Sequence, residues 1–230
     1  MSENLMSKRS FCIFGGLCGI VGVVLILVSF KINPGPPPGA TSVELMRFGQ
    51  QHHASVLWGA WLQAVGPVLI VLFAFSLVHL AGAAQRVAGW MTFFGATTLM
   101  MVSLIEITFY ISALHPDPPM MPFISLNLIS AVQHLYFIVA APTLFLPLGV
   151  VLVGSRILPR LFGYLALLLA AAFAALGAIF LLSLTLPAGV TAFAGVQALW
   201  WLAAAITLIV RSGAIAKSLD TKQAAASQPV

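Results

Sequence analysis

The sequence predicts an all-α polytopic membrane protein, with six transmembrane helices in one bundle and both termini cytoplasmic. Three observations carry this. Of 230 residues, 61% are hydrophobic and 7% charged, and the mean hydropathy is +1.08, well above soluble globular domains, in which about half the residues are apolar. The apolar residues gather into six stretches, each long enough to cross a hydrocarbon core as a helix, about 20 residues, and the period-two alternation of a transmembrane barrel is absent. The basic residues fall mostly at one side of those stretches.

The first span, near residues 11–30, follows Lys8 and Arg9. Its apolar run is longer than a signal-peptide h-region and no small-x-small cleavage pattern follows, so it reads as an uncleaved span. Cys12 and Cys18 within it lie about 9 Å apart along a helix, too far to bond to each other. They read as small packing residues among Gly15, Gly16, Gly19 and Gly22.

The segment 31–53 opens with Pro34, Pro36, Pro37 and Pro38, which favour extended backbone. Thr41-Ser42-Val43-Glu44 then matches a capping box. A helix should start there, run along the outer interface and lead into the second span, near 54–80, bringing His52 and His53 to the membrane surface beside Trp58 and Trp61. Within that span Pro67 lacks the N–H that would bond the carbonyl of Gln63. The third span, near 88–114, places Glu106 between Ile105 and Ile107.

The connector His115–Pro122 is too rich in proline to continue either neighbouring helix. The fourth span, near 124–153, contains Pro142 and Pro147, where kinks are expected; the fifth and sixth lie near 161–186 and 190–210. Residues 1–211 thus form one transmembrane domain. Residues 212–230, polar and small, are expected to be a disordered cytoplasmic tail.

Lys8, Arg9, Arg86, Arg156, Arg160, Arg211, Lys217 and Lys222 flank one side of the spans, and Lys31 and Arg47 the other. That bias puts both ends in the cytoplasm. The net charge of +5 is scattered singly over span ends, which argues against nucleic acid as a partner and leaves the lipid bilayer.

Glu106 is the residue that asks for a function. A carboxylate inside a bilayer costs on the order of several kcal/mol unless protonated, paired or hydrated. Counted from the outward end of their spans, Glu106, Gln63, His134 and Gln197 all lie about 10 to 15 Å deep. They form one polar layer. Ser103, Glu106 and Tyr110 share a helical stripe, as do Asn127, Ser130 and His134, and such stripes should turn inward because lipid offers no partner. The expectation is an outward-facing polar pocket in which Glu106 and His134 couple, and Gln63, Gln133, Gln197, Tyr110, Asn127, His52 and His53 bind or order a small-molecule ligand.

Several chemistries are excluded. A b-type haem needs two deep histidines at matching depth, and His134 alone is deep; no zinc-type spacing, G-x-S-x-G elbow or nucleotide-binding loop occurs. No metal and no cofactor is expected. The segment Arg156-Ile157-Leu158-Pro159-Arg160-Leu161-Phe162-Gly163 resembles the basic, x, hydrophobic, Pro, basic, x, x, Gly junction before the fifth span of uncharacterised bacterial six-helix integral membrane proteins of the domain-of-unknown-function type. The resemblance implies the same fold and a bacterial cytoplasmic (inner) membrane; those families bring no catalytic residues to transfer. Three functions follow as expectations: binding or transport of a small molecule, possibly proton-linked; a structural or accessory subunit whose polar layer fixes helix packing; or an intramembrane enzyme using Glu106 and His134 as acid and base.

Overall fold

The computed structural model describes residues 2–33, 40–114, 120–183 and 189–226. The elements are α1 (Ser2–Ile32), α2 (Ser42–Leu80), α3 (Val87–Ala113), α4 (Met121–Leu135), a π-helical turn (Tyr136–Ala140), α5 (Ala141–Gly154), α6 (Arg160–Ser183), α7 (Gly189–Val210) and α8 (Ser212–Ala226). Among the described residues, six segments are long and apolar enough to cross a membrane, Lys8–Ile32, Val43–Leu80, Val87–Ala113, Met121–Gly154, Arg160–Ile179 and Ala192–Val210. The fourth runs from α4 through the π-turn into α5. Residues 34–39, 115–119, 184–188 and 227–230, which include Pro34, Pro36, Pro37, Pro38 and His115, lie outside the described residues.

The helix α2 begins where the sequence placed it. The Glu44 N–H donates to Thr41 Oγ1 at 3.4 Å and the Thr41 N–H donates to Glu44 Oε2 at 2.7 Å, closing the capping box. From there α2 runs unbroken for 39 residues, over Pro67, to Leu80. One continuous helix therefore links the capping box to the apolar segment that follows it.

Packing combines close approach at small residues with buried aromatic rings. Helix α1 contacts both α2 and α7, and at its crossing with α2 a Cβ on Gly22 would stand 2.8 Å from the carbonyl oxygen of Gly66. Only glycine lets those backbones approach so closely. Helix α3 touches α5 the same way: a Cβ on Gly95 would stand 2.3 Å from the carbonyl oxygen of Thr143. The buried rings of Phe73, Phe145, Phe173, Trp200 and Trp201 belong to α2, α5, α6 and α7 and join one core. Their edge-to-face contacts, such as Phe73 with Trp201 at 5.8 Å and Phe145 with Trp200 at 5.3 Å, are the geometry aromatic quadrupoles favour. Trp200 also donates its indole N–H to the carbonyl of Phe162 at 3.1 Å. Trp58, Trp61 and Trp90 are exposed, as interface anchors are.

The tail departs from its expectation. Helical hydrogen bonding continues through Arg211, which donates to Thr207 and accepts from Ile215, into α8. Ile215 and Ala216 are buried, and Lys8 of α1 donates to Asp220 at 2.5 Å. The polar, small composition that suggested disorder is rich in alanine, lysine and glutamine, which are strong helix formers. A few anchoring contacts are enough to order it.

Candidate functional site

Glu106 projects from the middle of α3 toward α2 and α4. Gln63 of α2 donates from Nε2 to Glu106 Oε2 at 2.8 Å, and Gln133 of α4 donates from Nε2 to Glu106 Oε1 at 2.9 Å. Gln63 is buried, while Glu106 and Gln133 are half-buried. Three spans thus meet at one carboxyl group. The amides satisfy its lone pairs but carry no charge, so they leave its net charge uncancelled.

The position of Gln63 is itself fixed by backbone chemistry. Pro67 provides no N–H four residues on, and the carbonyl of Gln63 accepts instead from Ser103 Oγ of α3 at 3.1 Å. Ser103 and Glu106 are one helical turn apart. The same stripe of α3 therefore grips Gln63 at its backbone and at its side chain.

His134 bonds within its own helix. Its Nδ1 faces the carbonyl of Ser130 at 2.7 Å; a carbonyl only accepts, so Nδ1 carries the hydrogen. Where the sequence suggested His134, the bond to Glu106 from α4 comes from the preceding residue, Gln133. The reason is rotational. Helix α4 buries Pro122, Ser125, Ile129 and Val132; at about 100° per residue, Gln133 sits at the edge of that face and His134 nearly opposite it. Asn127 is exposed, while Ser130 and His134 are half-buried, so of that stripe it is Asn127 that turns outward.

The remaining candidates separate by depth. Tyr110, one turn beyond Glu106 on α3, is half-buried and borders a small, almost wholly apolar cleft of about 20 Å³ lined with Asn33, Leu45, Phe48, Val56 and Leu126. Glu106 does not line it. His52 is half-buried with its ring 4.6 Å from that of Phe48, and His53 is exposed; both stand about 15 Å along α2 from Gln63. They do not join the Glu106 group. Gln197 of α7 is buried and accepts at Oε1 from the hydroxyl of Tyr136. Sequence reasoning missed Tyr136, although its spacing of three residues from Gln133 was a readable signal.

Among the described residues, no three His, Cys, Asp or Glu side chains gather in a way that could hold a metal ion. No family model, curated protein or solved structure matches the chain. The functional reading therefore rests on the chemistry of this site.

Proposed function

We propose that the chain is a multi-pass protein of a bacterial cytoplasmic membrane, of the uncharacterised six-helix type, with both termini cytoplasmic and a polar site around Glu106 reached from the outward side. The site binds a small molecule in a proton-linked way. One observation carries this reading: an intramembrane carboxyl group is held by neutral amides from two other spans, while the Lys and Arg residues sit toward span ends and loops. Such a group needs a proton or a cationic ligand to balance it.

The test is a thermal-shift screen of small polar and cationic compounds on the purified protein, at two pH values a couple of units apart. A ligand that binds wild type pH-dependently should bind Glu106→Gln without that pH dependence, because the isostere has no proton to exchange. Unchanged pH dependence in the variant would remove Glu106 from the site. A second reading is a structural subunit, and it is favoured by the direct bonds that already occupy both oxygens of Glu106. It gains if the screen yields no ligand.

Orientation has its own test. A membrane-impermeant maleimide should label Ser42→Cys on intact cells and leave Ser218→Cys unlabelled; native Cys12 and Cys18 are buried in α1 and give no background. Labelling at position 218 from outside would invert the topology.

A further inference from the structure

We infer that the π-turn Tyr136–Ala140 is a one-residue register switch that exchanges Gln133 for His134 as the partner of Glu106. The geometry rests on the hydrogen-bond count in that turn. The Ala141 N–H bonds to the carbonyl of Tyr136, five residues back, where an α-helix bonds four back. A π-turn therefore absorbs one extra residue. With α5 held in place, every residue of α4 sits one position further along than in an unbroken helix, so Gln133 occupies the place an α-helical turn would give to His134. Closing the π-turn rotates α4 by about 100° and moves it about 1.5 Å, and delivers the imidazole to the carboxyl oxygen that Gln133 now holds.

Three features of the surroundings fit a turn with two settings. Pro142 has no N–H, so the turn lacks one bond in either register, to the carbonyl of Phe137 five residues back in the π-turn or to that of Ile138 four back in an α-turn. Gly177 of α6 faces the turn, and a Cβ there would stand 2.9 Å from Ile138 Cα and 3.1 Å from its N, so the widened backbone has a recess that only glycine leaves open. Tyr136, the first residue of the turn, donates to Gln197 of α7, a bond that belongs to the π register because rotation of α4 carries Tyr136 away. Gln63 lies on α2 and takes no part in the shift. It keeps Glu106 fixed while the partner on α4 changes.

The two settings differ in chemistry. An amide donates hydrogen bonds but holds no ionisable proton, whereas an imidazole both donates and exchanges one. The titratable groups around Glu106 are Tyr110 on its own helix and His134 and Tyr136 on the α4 side; α2 presents the neutral Gln63. The shift also places Phe123, Leu126, Ser130 and Gln133 where Pro122, Ser125, Ile129 and Val132 now pack. The functional consequence rests on Glu106 being the binding group, but the exchange itself is a statement about structure.

The experiment reads proximity. Full-length protein in nanodiscs, labelled with ¹³C at the glutamate carboxyl and ¹⁵N in glutamine and histidine side chains, reports carbon–nitrogen contacts by solid-state NMR, with Glu106→Gln identifying the Glu106 signal. Wild type should show contacts from Gln63 and Gln133. Deletion of Ile138 removes the extra residue and lets an α-helical turn hold Gln133 in its present place, so it should show the Gln63 and Gln133 contacts and none from His134. Tyr136→Phe, which unlatches the turn, and Gly177→Ala, which crowds the widened backbone, keep the full residue count and should each show a His134 contact mixed with that of Gln133. An unaltered Gln133 contact with none from His134 in both substitutions overturns the switch, and so does a His134 contact in the folded deletion variant. None of these readouts uses ligand binding, so a failed screen with Glu106 and a failed register exchange are told apart.

Discussion

Gly95→Leu should be the most damaging single substitution in the packing of α3. A Cβ at residue 95 would meet the Thr143 carbonyl oxygen at 2.3 Å and the Leu144 nitrogen at 2.5 Å, and both are backbone atoms, which cannot move aside as a side-chain end can. The helices α3 and α5 must separate. Overpacking of this kind costs about 1–3 kcal/mol even where side chains yield, and here the cost falls on the contact that positions α3 against the fourth span. The expected result is loss of the folded, monodisperse species in detergent, or a fall in apparent melting temperature on the order of 10 °C. Gly195→Ala is the control. Gly195 is an exposed helical glycine with nothing within 4 Å, so alanine should be neutral or stabilise by up to about 1 kcal/mol through helix propensity. Equal behaviour of the two variants would show that the α3–α5 approach does not limit stability.

Gln63→Leu should be the most damaging change at the site that leaves the acid in place. It removes the donor to Glu106 Oε2 from the best-buried partner, and a hydrogen bond to an ionised group contributes about 1.5–3 kcal/mol. The apparent melting temperature should fall by about 3–10 °C. In a Glu106→Leu background the same substitution should cost far less, because no carboxyl oxygen is left without its donor. The double-mutant cycle isolates that coupling, about 1.5–3 kcal/mol if the bond is as drawn. Additive effects would mean that Gln63 and Glu106 stabilise the bundle independently.

Much of this was legible in the chain. Hydropathy pointed to six apolar segments, and the structure has six helices long and apolar enough to cross a membrane among the described residues. The capping box set the start of α2, because its two hydrogen bonds join residues three apart and need no other part of the protein. Pro67 announced a free carbonyl at Gln63, and Ser103 supplies the hydrogen bond. Glu106 stood out by rarity, and its depth matched that of Gln63, which it meets.

What only the tertiary structure decided is of another kind. The choice of Gln133 over His134, the pairing of Tyr136 with Gln197, the outward turn of Asn127 and the ordering of α8 each depend on a rotation of about 100° or on a partner far along the chain. A single added residue in one turn leaves the hydropathy of a span unchanged, yet it turns every side chain ahead of it to a new face. Hydropathy measures how much apolar surface a segment carries, which lipid alone can satisfy; the direction of each polar group is set by the neighbouring helix that completes its hydrogen bonds.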